Sequence, residues 1–255
     1  MRERFADAVS RRLATAIVTA RVPLRLERPC VSFTFDDIPE TAAIAGARIL
    51  EERGLRGSFY VCGDLAGGHS ETYKLASLDR VVALARTGHE IGCHTAHHLN
   101  AARTGLAEYL RDLDRNAQVL EPVIGKLSTF AYPYGAIGLR HKSPLQARFK
   151  ACRAIHGGFA VASYDRGRLD SSALEDAAID ERGIDSLLDD VVRQNGWLTF
   201  YSHDVAARPS RIGVTPERLA YAVDAAVARG CVVETVANVV ARNDELRAGQ
   251  MATSG

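Results

Sequence analysis

The 255-residue chain is expected to be an α/β protein, a single-domain distorted (β/α)7-type barrel. Two observations predict this. Runs rich in β-branched and aromatic residues alternate with segments carrying apolar residues at helical spacing, the pattern of a parallel sheet flanked by helices. In addition, no G-x-G-x-x-G follows the first strand, which counts against the alternative, an open doubly wound sheet.

The elements follow in order. Residues 1–29 read as an N-terminal surface helix and lead-in. They mix apolar residues with Arg2, Arg4, Arg11, Arg12, Arg21, Arg25 and Arg28. The best apolar run there, residues 13–20, is short and is followed by more arginine rather than a processing site, so an export or membrane-surface role is the lesser alternative. The barrel domain then spans 30–255. CVSFTFDD (30–37) predicts a strand, 40–53 a helix stopped by Gly54, and GSFYVC (57–62) a second strand. A helix over 77–87 ends at Gly88, EIGCHT (90–95) is a third strand, and 104–121 is a long amphipathic helix. STFAYPYG (128–135) is a fourth strand running into a Pro/Gly turn. A helix near 143–149 and the strand 151–155 come next. Residues 156–183, rich in Gly, Asp, Arg and Ser, read as a long loop with a little helix. Helix 184–194, strand WLTFYSH (197–203), helix 215–229, strand CVVETV (231–236) and a terminal helix complete the chain.

Composition narrows the function. Thirty-two Lys and Arg face 31 Asp and Glu. That balance excludes the strongly basic surface of a dedicated nucleic-acid binder. No apolar run reaches the ~18–20 residues of a membrane span. The cysteines, Cys30, Cys62, Cys93, Cys152 and Cys231, are odd in number, widely spaced and free of C-x-x-C, so they read as small buried hydrophobes in a reducing, cytoplasmic compartment. Trp197 begins a strand and reads as core. Cys93 is expected to be core as well, since alternation turns it away from the side of His94. His89 and His156 read as surface or loop residues.

Four polar clusters fall at the C-terminal ends of expected parallel strands, where a barrel gathers its catalytic groups. They are Thr34-Phe35-Asp36-Asp37, His94-Thr95-Ala96-His97-His98, Tyr132-Pro133-Tyr134-Gly135 and Ser202-His203-Asp204. Adjacent carboxylates Asp36 and Asp37 raise each other's pKa unless a cation neutralises one; the bland alternative is a cap for the next helix. His94 and His98, spaced i, i+4, would share one side of a helical turn and suit a metal, with His97 competing for the second place. One carboxylate and two histidines leave a position open for water, the pattern of a catalytic zinc site.

Thr-Phe-Asp-Asp, His-Thr-x-x-His, x-Tyr-Pro-Tyr-Gly and a later x-x-His, in this order, resemble the motifs of the polysaccharide deacetylase (NodB-homology) family, over roughly residues 30–236. The resemblance implies a distorted barrel that removes N- or O-acetyl groups from saccharides with a divalent metal, most often Zn2+, with Co2+ or Ni2+ as substitutes. It implies that Asp36 is the general base and that Asp37, His94 and His98 are the metal ligands. Tyr134 would offer a backbone N–H to the oxyanion, and His203 would be the general acid. The chain departs from the family in lacking an arginine two residues before the Pro of the third motif, where it has Ala131. Arg153, at the end of the next strand, is the expected replacement. Asp165, Asp170 and Asp204 are the candidates for orienting His203. Tyr60, Tyr134 and Tyr164 are candidate sugar-stacking surfaces. The alternatives are another amide hydrolase on this scaffold, such as a deformylase or ring-opening amidohydrolase, or a catalytically dead saccharide-binding module.

Overall fold

Strand β2 (Cys30–Phe35) is buried along its whole length, because both faces of its sheet are covered. Its odd positions, Val31, Phe33 and Phe35, join the apolar layer under the helices. Its even positions face the other way, where Ser32 accepts a hydrogen bond from the Trp197 indole (3.0 Å) and Thr34 donates to the carbonyl of Phe200 (2.8 Å). The computed structural model describes residues 17–253, so most of the expected N-terminal helix lies outside the described residues.

The part of the lead-in that is described includes a strand, not a helix. β1 (Arg21–Pro23) pairs antiparallel with β7 (Ser163–Asp165). Alternation explains it: Val22 and Leu24 turn inward onto Tyr164, Trp197 and Val240, while Arg21 and Pro23 face out.

The main sheet is parallel. β3 (Ser58–Val61), β4 (Glu90–Cys93), β5 (Thr129–Ala131) and β6 (Ala151–Arg153) lie in turn on one side of β2. β9 (Trp197–Ser202) and β8 (Ser172–Ala173) lie on the other, and β10 (Val232–Val233) pairs with the start of β2. The stretch 166–173 spans the gap between the two edges. Leu169 donates to the carbonyl of Cys152 (2.7 Å) and Ala154 to that of Leu169 (2.8 Å); the chain then enters β8 and pairs with β9. The long loop expected over 156–183 therefore holds two short strands that were not expected, ahead of a helix beginning at Glu181, and it completes the curl of the barrel.

The helices are α1 (Ala42–Glu51, opening with a π-helical turn), α2 (Leu78–Arg86), α3 (Leu106–Ile124), α4 (Leu139–Arg148), α5 (Glu181–Gln194), α6 (Pro216–Ala228) and α7 (Val236–Thr253). Local chemistry sets their ends. The Ser77 hydroxyl caps α2 by accepting Arg80 N–H (3.3 Å), and Asp180 caps α5 through Gly183 N–H (2.8 Å). Asn195, left-handed at φ 46°, stops α5. Helix α4 begins at Leu139, ahead of the expected start near 143.

All five cysteines are buried and unpaired, and Trp197 is core. His89, read from the sequence as a surface or loop residue, is buried instead. Its Nδ1 accepts Gly57 N–H (3.0 Å), and its ring meets Phe59 edge-on. Among the described residues, no helix is long and apolar enough to cross a membrane.

Candidate metal centre and active site

The carboxylates after β2 separate because the chain turns sharply there. Asp36 continues the ladder, donating its N–H to the carbonyl of Ser202 (3.0 Å), and is buried on the inner side. Asp37 and Ile38 then both adopt positive φ, 59° and 54°, which a β-branched residue rarely tolerates. Such strain collects at functional sites. The turn sends the Asp37 carboxylate toward the neighbouring strand ends.

There it meets His94 and His98. Oδ1 of Asp37 lies 3.4 Å from Nε2 of His94 and 3.1 Å from Nε2 of His98. One ligand atom from each of the three residues falls within 4.8 Å of the others. Three ligands at zinc-like bond lengths of about 2.1 Å in a tetrahedron would stand about 3.4 Å apart, so the donor set fits a divalent cation. Nδ1 of His94 donates to the carbonyl of Ala131 (2.8 Å), which leaves Nε2 as the free lone pair. Burial, with His94 adding to it, pushes His98 down to about 4, so its imidazole is neutral at pH 7. Burial alone would raise Asp37, but the adjacent His94, followed by His98 and His203, outweighs that and holds its carboxyl well below the usual carboxylate range.

The i, i+4 pair does not arise from a helical turn. Residues 94–98 form a loop in which Thr95 (φ 63°) and His98 (φ 56°) are left-handed. Asp112, on α3, pins that loop by accepting the N–H groups of Ala96 (2.7 Å) and His97 (3.2 Å). His97 is turned outward. Its Nδ1 meets Asp112 (2.5 Å), its Nε2 meets Asp64 (3.4 Å), and it takes no part in the Asp37–His94–His98 cluster. Nothing in the sequence around Asp112 marks this role; it follows from where α3 packs.

Asp36 is met by Arg153, whose Nη2 hydrogen-bonds with both carboxylate oxygens. Three strands, β3, β4 and β5, stand between them, so the curl of the sheet brings them together. The guanidinium lies between the rings of Tyr60 (5.3 Å) and Tyr201 (5.4 Å) and donates to Ser171 Oγ (3.3 Å). The β5–β6 register sets Ala131 opposite Arg153. Register partners share a face, so the small side chain at 131 leaves room for the guanidinium that the neighbouring strand supplies.

His203, at the end of β9, places Nδ1 3.2 Å from the carbonyl of Ile212 and is close enough for its charge to act on Asp37 and His98. None of the aspartates considered for orienting it does so. Asp165 pairs with Lys142 (2.7 Å), Asp170 with Arg168 (2.8 Å), and Asp204 accepts Ser210 N–H (2.8 Å) within its own loop. The backbone carbonyl of Ile212 takes that place.

Tyr134 sits on the short 3-10 turn Pro133–Gly135 at φ 59°, 64% exposed, with its ring 4.4 Å from that of His98. Its N–H lies in the first turn and so has no acceptor within the turn. Of the three tyrosines considered as stacking surfaces, it alone is open. Tyr60 is buried under Arg153, and Tyr164 packs edge-on against Trp197 (5.5 Å). One further residue escaped the sequence reading: Tyr73 donates its hydroxyl to Oδ2 of Asp37 (2.9 Å). Burial, then the charge of Asp37, keeps that phenol protonated far above its ordinary range.

A cavity of about 270 Å³ opens beside Asp37 and His98, walled by Cys62, Asp64, Leu65 and Leu75. A larger hollow of about 350 Å³ lies between Arg21, Phe159 and Tyr164, and touches none of the clustered groups. The chemistry therefore favours the smaller one.

A family model described as polysaccharide deacetylase matches residues 24–147. No curated protein matches the sequence. Among solved structures, a Mycobacterium smegmatis protein assigned by name to the polysaccharide deacetylases is 17% identical, with 91% of this chain and 96% of that one covered and a TM-score of 0.65. The chitin deacetylase of the fungal pathogen Colletotrichum lindemuthianum is also 17% identical (85% and 89% covered, TM-score 0.61). A mutant of a CE4 family pseudoenzyme is 15% identical (88% and 71% covered, TM-score 0.55). At these identities the likeness is one of fold, a (β/α) barrel of this type.

Proposed function

We propose, from the match of the polysaccharide deacetylase family model over residues 24–147, that this chain belongs to that family and is a metal-dependent hydrolase removing an acetyl group from an N- or O-acetylated saccharide. The observation that carries the reading is the convergence of Asp37, His94 and His98 within 4.8 Å, beside the Asp36–Arg153 pair.

Asp37, His94 and His98 would hold the cation. Bound there, a divalent ion such as Zn2+, Co2+ or Ni2+ polarises the acyl carbonyl and acidifies water. The remaining steps belong to the chain. Asp36, aimed by Arg153, takes the proton of the attacking water. The Tyr134 N–H donates to the oxyanion as the carbonyl carbon becomes tetrahedral. His203, with Nδ1 turned to the Ile212 carbonyl, presents Nε2 to protonate the departing sugar nitrogen or oxygen. The exposed ring of Tyr134 offers the saccharide an apolar face. The five buried thiols support a cytoplasmic setting, which favours a soluble or lipid-linked saccharide over mature cell wall.

A saccharide-binding module without turnover is the second reading, favoured by the pseudoenzyme fold neighbour and the alanine at 131. The presence of Arg153 against Asp36 counts for the enzyme. The test is acetate release from chitooligosaccharides, peptidoglycan fragments and acetylated xylan, with metal content measured in parallel. Stoichiometric sugar binding without acetate, in metal-loaded protein, would select the module. Release of formate from formamides, or ring opening of a cyclic amide, without acetate release would select another amide hydrolase.

A further inference from the structure

Tyr73 and the segment that carries it lie outside every motif discussed above. The segment is a hairpin. His69 and Lys74 face each other across it, and the hydroxyl of Ser70 fastens the turn by accepting the N–H groups of Thr72 (3.1 Å) and Tyr73 (3.0 Å). One flank is stitched to the chain just after Asp37. Ala76 N–H donates to the carbonyl of Ile38 (3.0 Å), Glu40 N–H to that of Lys74 (2.9 Å), and Lys74 Nζ meets Glu40 (2.8 Å). Those bonds fall on and just beyond the two positive-φ residues, Asp37 and Ile38. A backbone turn so unfavourable persists only where its surroundings over-determine it.

The hairpin also delivers a side chain. The Tyr73 hydroxyl takes up Oδ2 of Asp37, while Oδ1 is the oxygen that lies 3.1 and 3.4 Å from the two imidazoles. A carboxylate otherwise swings about its terminal torsion, which is broad and roughly two-fold.

We propose that Tyr73 is a positioning residue for the cation site, and that residues 68–76 are a brace for the strained Asp37–Ile38 turn. Resting on the metal-site reading above, the proposal states that Tyr73 selects Oδ1 of Asp37 as the single oxygen presented between His94 and His98, so that affinity for the cation depends on a hydroxyl outside the ligand set.

The test is the dissociation constant for Zn2+ and Co2+, measured by competition with a chromophoric chelator on full-length protein, with folding followed by circular dichroism. Loss of a hydrogen-bond partner of a ligand typically weakens binding about 10–100-fold, and that is the rise expected for Tyr73→Phe. Ser70→Ala, which loosens the turn from an exposed position, should give a smaller rise in the same direction. A folded Tyr73→Phe protein with a dissociation constant within about twofold of the parent overturns the proposal, because partners of this kind normally cost more. If Tyr73→Phe does not fold, Ser70→Ala decides: unchanged affinity there overturns it. A merely structural role would lower the melting temperature of the metal-free protein without moving the constant. Parent protein that binds neither ion would instead refute the metal-site reading itself.

Discussion

Arg153 and Asp36 form a buried ion pair across the barrel, joining the end of β6 to the turn after β2 over three intervening strands. The arginine is fully buried, and its guanidinium is enclosed by Tyr60, Tyr201 and Ser171. The pair neutralises the inner of two adjacent carboxylates, while Asp37 is left to the histidines.

Arg153→Ala should therefore be costly. Removing one partner of a buried pair strands the other charge, typically at about 3–5 kcal/mol. Both stability to denaturant and turnover are expected to fall. Because Ala131 is the register partner of Arg153, Ala131→Arg in the Arg153→Ala background should restore part of each. A single variant as stable as the parent would show that Arg153 does not balance Asp36.

Asp36→Asn should keep the cation and lose the reaction. The amide is close in size and cannot take a proton from water. The expected loss in kcat is about 100–10,000-fold, the usual contribution of a positioned base. Metal content is expected to match the parent. Unchanged turnover would remove Asp36 from the proton-transfer step, and loss of metal would place it among the ligands.

His98→Ala should abolish stoichiometric metal binding, whereas His97→Ala should retain it. His97 points away from the cluster and is half exposed. The protein lacking His97 is expected to lose only what the Asp112 contact supplies, about 1 kcal/mol for a partly exposed hydrogen bond. Elemental analysis after dialysis distinguishes the two. The reverse pattern would reassign the third ligand.

Acid should weaken the fold through His89. Burial, chiefly, holds its pKa below the ordinary histidine value. Its Nδ1 must also stay unprotonated to accept Gly57 N–H. The unfolded chain binds a proton near pH 6.5, and the folded chain only at lower pH, so below about 6.5 the unfolded state holds more protons and stability declines. Above that pH the contribution is level. His89→Asn, which keeps an acceptor and loses the titration, should flatten part of the slope between pH 7.5 and 5.5 in denaturant melts. An identical slope would assign the acid sensitivity to other groups.

Much of the architecture was legible because it is written locally. Strand β2 shows itself through β-branched and aromatic residues, and α1 through apolar residues at helical spacing ahead of Gly54. The places where the reading failed are those where local signals are weak. Strands β7 and β8 are two or three residues long and exist only because the curling sheet offers them edges. Strand β1 is short as well, and its partner lies far away in sequence. His89 looked like a loop residue because its polar character hides a pocket formed by Gly57 and Phe59.

The sequence by itself determined the alternation of strands and helices, the motif order, and the residues able to bind a cation, since backbone preference and ligand chemistry are properties of residue types. Tertiary structure brings His98, the ligand the family resemblance implied, beside Asp37 and turns His97 away. It sets Arg153, the expected replacement, where Ala131 leaves room, and it alone decided that the Ile212 carbonyl rather than an aspartate faces His203 and that Tyr73 grips Asp37 from a distant hairpin. The physical reason is reach. A hydrogen bond tolerates only a few tenths of an ångström, and the curvature that brings strand ends within that range arises from the whole sheet.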